Sequence, residues 1–563
     1  MDSRKTIFLL VLVALVGGFV VWDHYKGVPT TDRLAKSKRV LAIDAKAVTR
    51  VELVRSNQTI VLEKSAENWD IKQPLAVRAD FGAVSALLDE LEFAERLRTL
   101  SDTDLIDANL AEFGLSPPQL TVKLQSKSGP TVLQLGSETP ARDARYVSVA
   151  GQRHVYVVRN NTFDRVHQSL DQLRSRSAIE FSPASATRLE IKATDRSIEL
   201  TKSNLWVLTR PLAVRADQTK ISALLTDLQN LRIQDFVSEK PEDIHTYHLD
   251  EPDREVTVAS DSTGKTLLIG MPLTNDATRV YAKLKDRDTI FTIAAESAKR
   301  FAVQINDLRD PHLLSFQPAD VKAITIARGA TTISLQHTAT GWKITGPVTG
   351  AGDTPAVEQF LAGLAGLRVK EFTADVTTDL EKFGLATPVM TVTLTGGGVL
   401  QVGAVDNAQA VAYVKRADEP FIYGVAPEAL ELIPTSYGAF RSRTIFQYKP
   451  EEITRLTVGA VTLERDDQGR WKLVAPAQGV LDADAANAIA GLVAGLRAEA
   501  FGRPKTDADN ANLVIQFKAG SATHWLANAA DGQSAADNTE LTFRLAEPVI
   551  ATLTKKLVHE AKP

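Results

Sequence analysis

Four aspartates are candidates for acid–base chemistry, because each recurs at a fixed distance from a tryptophan and a proline. The pattern W-x4-P-x5-D occurs four times, at intervals of 137, 136 and 129 residues. An apolar helical face follows each aspartate, so we interpret the aspartate as a helix cap, the tryptophan as a core anchor and the proline as a strand end. The four sets are Trp69, Pro74 and Asp80; Trp206, Pro211 and Asp217; Trp342, Pro347 and Asp353; and Trp471, Pro476 and Asp482.

Other residues with chemical potential match no complete catalytic or metal-binding pattern. Gly264-Lys265-Thr266 ends like a phosphate-binding loop, but Ala259 stands where that loop needs glycine, and the segment lies between two predicted strands. His245 and His248 are spaced like metal ligands, yet the sequence offers no third ligand. Two further groups indicate a turn and a solvated acidic loop; they are Gly396-Gly397-Gly398 and Asp102 with Asp104.

We therefore predict that the chain is not an enzyme and has no catalytic, cofactor-binding or metal-binding residues, and we assign no ligand-binding residues. Three arginines close successive repeats, and we predict that they bind helix carbonyls or bridge to the following repeat. The alternative for these arginines is an anionic partner. They are Arg174, Arg309 and Arg441.

Composition excludes several classes of protein. The chain has 563 residues, 44% of them hydrophobic and 24% charged, as in ordinary globular proteins, with a net charge of −4. No basic patch stands out, so nucleic acid is not expected as a partner, and no small-molecule substrate is evident. Cysteine is absent, which excludes disulfides, thiolate metal sites and a cysteine nucleophile.

The N-terminus carries an uncharged apolar segment, residues 6–22, which we predict to be a transmembrane anchor. Arg4 and Lys5 precede it, which places residues 1–5 in the cytoplasm and the rest of the chain, after a linker at 23–44, in the periplasm. The predicted location is therefore a bacterial inner membrane, crossed once. A cleaved signal peptide is the alternative.

Each repeat has the same order of predicted elements. The apolar–polar alternation at 187–193 and 196–201 predicts strands, and a third strand starts at Trp206. The whole repeat is predicted as β-β-β-α-β-β-β-β-α, an α+β unit with a mainly antiparallel sheet. The predicted boundaries are 45–182, 183–317, 318–447 and a degenerate fourth repeat at 448–563.

Helical spacing predicts which side chains of each capped helix are buried. The offsets are the same in every repeat, and the motif L-R-x3-F follows the helix in the last three repeats, whereas the first has Thr99 at the phenylalanine position. The predicted core residues are Val84, Leu87, Leu88, Leu91 and Ala94; Ile221, Leu224, Leu225, Leu228 and Leu231; Val357, Phe360, Leu361, Leu364 and Leu367; and Ala486, Ile489, Ala490, Val493 and Leu496.

Two further motifs complete a family resemblance. A Phe-Gly-Leu motif occurs at 113–115 and 383–385, with Tyr-His-Leu at 247–249, and a strand ending in glycine occurs at 133–136, 267–270 and 400–403. Together with the tryptophan unit, these resemble the bacterial envelope family called domain of unknown function 4340. The resemblance implies an N-terminal membrane segment, exported repeats and partners among ABC-transporter components of the gliding-motility type, and it implies no catalytic residues.

Three functions remain open from the sequence. The first is a non-enzymatic, membrane-anchored accessory or scaffold protein that works with an ABC-type export or envelope-assembly complex, contacting a permease or an auxiliary subunit and the inner membrane. The second is a binding module for peptidoglycan or another envelope polysaccharide, which predicts exposed aromatic side chains at matching positions of successive repeats. The third is an enzyme with its site in a single diverged repeat.

Overall fold

The computed structural model describes residues 36–100, 110–260, 263–376, 379–506, 513–517, 523–528 and 533–559. Their strands form three nine-stranded sheets, one eight-stranded sheet and one two-stranded sheet. The chain divides into two compact units, one ending at Ile305 and the other beginning at Asn306. Each unit contains two of the large sheets. The repeat boundaries given above stay predictions.

The first sheet shows how one repeat is built. Its order is β4-β3-β2-β1-β6-β7-β8-β9-β5, with antiparallel pairing, so the chain starts in the middle, reaches one edge and later resumes beside its first strand. Helix α1 (Phe81–Phe93) connects the strand at one edge of this sheet to the strand at the opposite edge. The strands are β1 (Val48–Arg55), β2 (Thr59–Ser65), β3 (Asn68–Gln73), β4 (Val77–Arg78), β5 (Arg98–Leu100), β6 (Leu120–Ser126), β7 (Gly129–Glu138), β8 (Ala144–Val149) and β9 (Val155–Arg159).

The second and third sheets repeat this order. The second contains β10 (Arg188–Ala193), β11 (Arg196–Lys202), β12 (Trp206–Arg210), β13 (Val214–Arg215), β14 (Ile233–Ser238), β15 (Arg254–Ser260), β16 (Thr263–Leu273), β17 (Asp276–Leu284) and β18 (Ile290–Ala294). The third contains β19 (Ala323–Arg328), β20 (Thr331–Thr338), β21 (Gly341–Gly346), β22 (Gly350–Ala351), β23 (Glu371–Ala374), β24 (Met390–Thr395), β25 (Gly398–Asp406), β26 (Val411–Arg416) and β27 (Ile422–Val425).

The fourth repeat departs from the pattern at one edge, in agreement with its predicted degeneracy. Its large sheet has eight strands, and the short strand after the tryptophan pairs instead with the C-terminal strand. Its strands are β28 (Ile453–Val458), β29 (Val461–Arg465), β30 (Trp471–Ala475), β31 (Val480–Leu481), β32 (Ala500–Pro504), β33 (Leu513–Phe517), β34 (Thr523–Asn528), β35 (Ser534–Ala536), β36 (Leu541–Arg544) and β37 (Val558–His559).

The remaining helices are one long helix per repeat and a few short ones. The long helices cover the sheets with the predicted apolar faces, and all the core residues predicted on them are buried. The helices after α1 are α2 (Leu170–Leu173), α3 (Gln218–Gln229), α4 (Ala295–Lys299), α5 (Thr354–Ala365), α6 (Ala483–Ala494) and α7 (Glu547–Leu553).

The repeated tryptophans lie in the cores, as predicted. Trp69, Trp206, Trp342 and Trp471 are 3–7% exposed. In the first repeat the indole shares one apolar cluster with the α1 face and the central strands, and Trp471 does so in the fourth. The peptide bond before each repeated proline is cis, a feature that the sequence analysis did not anticipate.

The predicted α+β class is wrong, because the structure is mainly β, with 44% strand and 21% helix. Two strands of each repeat were not predicted: the short one after the proline, and the one that contains the L-R-x3-F phenylalanine or, in the first repeat, Thr99. The closing helix is also much shorter than predicted, for example only Leu170–Leu173 in the first repeat. The antiparallel sheets and their repetition agree with the prediction.

The predicted transmembrane helix and the predicted single-pass location in the inner membrane are not supported. Within the described part of the chain, no helix is both long and apolar enough to cross a bilayer. The described helices are short and cover a sheet with one apolar face, as expected for a folded core. Residues 6–22, where the anchor was predicted, lie outside the described residues.

Candidate functional site at the repeat junctions

The four repeated aspartates cap helices, as predicted. In each case the carboxylate accepts a hydrogen bond from the backbone N–H three residues later, at 2.9 Å for Asp80, 3.0 Å for Asp217, 3.2 Å for Asp353 and 2.8 Å for Asp482. These bonds satisfy backbone donors that the first helical turn leaves without partners. The repeated carboxylates therefore have a structural role as helix caps.

The closing arginines form the main polar feature that recurs between repeats. Each guanidinium lies over the phenylalanine ring of the L-R-x3-F motif in the following repeat, an arrangement that we call the arginine clamp. The guanidinium carbon is 3.5 Å from the ring centroid for Arg174 and Phe236, 4.1 Å for Arg309 and Phe372, and 4.4 Å for Arg441 and Phe501. The prediction that these arginines contact the following repeat is confirmed.

Each clamp arginine is buried: Arg174 is 4% exposed, Arg309 3% and Arg441 6%. A buried guanidinium needs hydrogen-bond acceptors, since burial removes its water. Arg174 pairs with Glu239 through Nη1, and that nitrogen also lies 3.3 Å from Asp171. Arg309 likewise pairs with Asp375 and donates to the Asn306 side chain at 3.4 Å. Both carboxylates stand three residues after the clamp phenylalanine.

In the described part of the chain, no clamp is seen before the first repeat or after the fourth. The N–H of Val40 donates to the Ala94 carbonyl, just as the N–H of Ala178 donates to the Leu231 carbonyl. Val40 is therefore equivalent to Ala178, and Lys36, four residues before Val40, stands at the position of Arg174. Thr99 takes the place of the ring. At the other end, the N–H of Asp482 donates to the Leu557 carbonyl, just as the N–H of Asp80 donates to the Leu173 carbonyl. Val558, which follows Leu557, therefore stands at the position of Arg174. The three clamps among the described residues thus lie where one repeat follows another.

The Phe-Gly-Leu motif contacts a glycine within the long strand that follows it. Gly114 and Gly384 have φ +66°, and His248 takes the same left-handed conformation at φ 51°. The turn brings the carbonyl oxygen of Phe113 against the α-carbon of Gly136, so that a Cβ there would overlap that oxygen. Gly270 and Gly403 meet the equivalent carbonyls. Both family motifs are therefore parts of one tight contact.

Gly270→Ala is expected to lower the free energy of unfolding by about 1–3 kcal/mol, because the new methyl group meets the Tyr247 carbonyl in a packed site. The matched control is Gly491→Ala, since a Cβ at this exposed position in α6 meets nothing within 4 Å. That change is expected to raise stability by about 0.5–1 kcal/mol through helix propensity. Urea denaturation followed by circular dichroism measures both; equal signs would contradict the packing argument.

A recurring aromatic pair was missed by the sequence analysis. The ring of each motif's first residue meets a tyrosine edge-to-face, with centroid distances of 4.8 Å for Phe113 and Tyr146, 4.9 Å for Tyr247 and Tyr281, and 5.0 Å for Phe383 and Tyr413. The tyrosines are half-buried. The only signal in the sequence was the presence of tyrosine in the third of the four late strands of each of these repeats.

The remaining candidates of the sequence analysis lie apart from one another. His245 Nδ1 is 2.8 Å from Asp250 on an exposed turn, and the described residues contain no group of three or more potential metal ligands. Gly264 lies opposite Ala259 in the β15–β16 hairpin, as predicted. Gly396 and Gly397 form the turn before β25, which begins at Gly398, while Asp102 and Asp104 lie outside the described residues.

One carboxyl group has an unusual environment. Burial raises the pKa of Glu90, on α1, to about 7, although the backbone N–H of Arg165 donates to it at 2.8 Å. Asp227 holds the same position in the second repeat and pairs with Arg300, whereas Gly363 and Leu492 hold it later. Because the residue at this position differs from repeat to repeat, the environment of Glu90 is a local feature of the first repeat.

Glu90→Gln is expected to raise the free energy of unfolding by about 1–3 kcal/mol near pH 8, and by much less near pH 5. Because the folded pKa of Glu90 lies above the unfolded one, this group costs no stability below its unfolded pKa and destabilises the folded chain increasingly as the pH rises through about 7. Urea denaturation of both proteins at the two pH values gives the difference. A difference independent of pH would contradict the assignment.

Comparison with solved structures shows weak similarity to bacterial DNA polymerase sliding clamps. A DNA polymerase sliding clamp from Pseudomonas aeruginosa is 9% identical, with 70% of this chain and 95% of that chain covered and a TM-score of 0.11. A DNA polymerase III subunit beta sliding clamp from Bartonella birtlesii LL-WM9 is also 9% identical, with 70% and 97% covered and a TM-score of 0.11. These scores carry no argument about fold or function. No curated protein matches the chain.

A family model, by contrast, matches most of the chain. The matched residues are 69–204, 206–346 and 342–514. Each match starts at a repeated tryptophan, so the first runs from the third strand of one sheet into the first two strands of the next. The matched ranges contain the residues that build the tryptophan core, the capped helix and the glycine–carbonyl contact. The chain belongs to the family described as domain of unknown function (DUF4340).

Proposed function

We propose that the protein is a non-catalytic accessory or scaffold protein, whose repeats present contact surfaces to a larger protein assembly. A subunit of an ABC-type export or envelope-assembly complex is the expected partner, since the family resemblance implies such partners. One observation carries the proposal: the side chains shared by the repeats serve the fold. The tryptophans fill cores, the aspartates cap helices and the arginines contact the next repeat.

The use of the polar residues supports this proposal over an enzyme. A catalytic site needs acid, base or nucleophilic groups that converge on a reacting atom. The recurring carboxylates here accept hydrogen bonds from helix N–H groups, and the acidic groups near the clamps pair with arginine. Glu90, with its raised pKa, bonds to the Arg165 backbone N–H. These groups therefore have structural partners, and the proposal includes no cofactor.

The polysaccharide-binding alternative predicts exposed aromatic side chains at matching positions of successive repeats. Among the described residues, the strongly exposed aromatic side chains are Phe81 and Phe93, both in the first repeat. The equivalent positions carry Gln218 and Asn230 in the second repeat. The aromatic pairs that do recur are half-buried and face each other. These observations favour a protein partner over a polymer.

Affinity purification of the tagged full-length chain, followed by mass spectrometry, tests the proposal. The expected result is enrichment of an ABC-type transporter subunit over an untagged control. A Trp206→Ala variant controls for capture by partly unfolded protein, because a subunit bound through native surfaces is lost or reduced with this variant. Recovery of unrelated proteins alone, or equal recovery with the destabilised variant, would contradict the proposal.

A further inference from the structure

The third arginine clamp contains a buried cation without a carboxylate. Arg441 is 6% exposed, and within the described residues its Nη1 has no hydrogen-bond partner. Burial lowers the pKa of Arg441, which is the expected direction for a guanidinium removed from water. Its charge nevertheless persists at physiological pH, since arginine stays protonated in proteins across that range. A buried, charged donor without an acceptor is costly for a folded protein.

The other two clamps show what is missing. In the first clamp, Nη1 of Arg174 meets Glu239, three residues after the ring, and Asp171, three residues before the arginine. Asp375 and Asn306 hold these positions for Arg309. For Arg441 the corresponding residues are Pro504 and Gly438. Both acceptor side chains are therefore absent from the same clamp.

A third change concerns the residue that packs against the Arg441 guanidinium. Val77, which begins β4 and lines a cavity of about 60 Å³ together with Arg174, corresponds to Gly350, which begins β22. A Cβ on Gly350 would lie only 3.4 Å from the guanidinium carbon of Arg441. The valine side chain and the two polar side chains of the first clamp are thus replaced by two glycines and a proline.

The missing side chains lie on the solvent side of the clamp. Glu239, Asp171 and Asp375 reach inward from positions at which 34%, 52% and 48% of their side chains are exposed. Gly438 and Pro504 are likewise exposed. The charged and titratable groups that act on Arg441 at longer range are Glu540, which is exposed, and Tyr437.

We propose that Arg441 binds a carboxylate supplied by a ligand, at the position that Glu239 and Asp375 occupy in the other clamps. A planar guanidinium matches a carboxylate through two parallel hydrogen bonds, and both native partners are carboxylates. The ligand is a small organic acid or a carboxylate side chain of a bound peptide. The site is independent of the proposed scaffold function, because it depends only on the third clamp.

Fluorine NMR with trifluoroacetate as the probe tests this site in the full-length chain. The wild-type protein is expected to broaden the trifluoroacetate signal, and the neutral probe trifluoroacetamide is expected to remain sharp. Arg441→Gln and Pro504→Glu should each reduce the excess broadening at least about fivefold, because one removes the cation and the other supplies a covalent carboxylate. Glu239→Ala combined with Asp171→Gly is the positive control, since removal of both carboxylates should create a second site at Arg174.

Competition then identifies the source of the carboxylate. Displacement of the probe by acetate, with no advantage for a capped hexaglutamate peptide, indicates a small acid, whereas displacement at much lower peptide concentration indicates a peptide. Circular dichroism confirms that each variant is folded. Absence of broadening with the wild-type chain, or unchanged broadening with Arg441→Gln, would overturn the proposal. Broadening that appears only after Glu540→Gln would show that Glu540 fills the site, and would also overturn it.

Discussion

Trp206→Ala is expected to lower the free energy of unfolding of the second repeat by about 3–5 kcal/mol. The indole is 4% exposed, at the start of β12, and its removal leaves a cavity beneath the capped helix. Cavities in close-packed cores are costly because neighbouring side chains collapse into them only partly. Urea denaturation followed by circular dichroism measures the change.

The preceding residue offers a matched control for this substitution. Leu205 is 64% exposed, so Leu205→Ala removes apolar atoms that already contact water. That variant is expected to differ from the wild type by less than about 0.5 kcal/mol. If both variants lost the same stability, the tryptophan would not be the anchor of the repeat.

Arg174→Met is expected to lower the free energy of unfolding by about 2–3 kcal/mol. The variant loses the stacking over Phe236 and leaves Glu239 without its cation. Breaking a fully buried ion pair costs about 3–5 kcal/mol, and we reduce this value because Glu239 is partly exposed and can be solvated. Limited proteolysis should also cut the segment that follows Arg174 more quickly than in the wild type.

A surface arginine of the second repeat serves as the control for the loss of charge. The side chain of Arg210 is 75% exposed and pairs with Glu199 at 3.4 Å. Exposed ion pairs contribute less than about 1 kcal/mol, so Arg210→Met should have little effect on urea denaturation or on proteolysis. Similar losses for the two variants would show that the clamp contributes no more than an ordinary surface pair.

The local features of each repeat could be predicted from the sequence because they depend on neighbouring residues. Asp80 and its equivalents stand directly before helices with an apolar stripe, and capping and burial followed from that spacing alone. The glycines at 396–398 and the Gly264 hairpin were also correct, since turns need few residues and have strong composition signals.

The long-range contacts of each repeat could not be predicted in the same way. Arg174 and Phe236 belong to separate motifs in different repeats, and no spacing rule connects an arginine to a ring so far along the chain. The sequence contained one signal of this contact: the phenylalanine is missing from the first repeat, which follows no closing arginine, and the arginine is missing from the last repeat, which precedes no further phenylalanine. The edge strand β14 was missed because its pairing with β18 is decided by the fold of the whole sheet.

The shared residues leave the rest of each repeat free to differ from its neighbours in this chain. A module whose core, caps and junctions are fixed by a few side chains leaves its remaining surface free to diverge. The third clamp illustrates this freedom, since Pro504 and Gly438 replace acceptors that the other clamps retain. Functional differences between the repeats are therefore expected on their surfaces and at their junctions.

Hydrogen exchange of the wild-type chain and a Trp342→Ala variant tests most directly the claim that the shared residues hold each repeat around its own core. The account predicts faster exchange in the third sheet, strands β19 to β27, while the slowest amides of the fourth sheet, strands β28 to β36, keep their protection. Equal loss of protection in both sheets would contradict the claim.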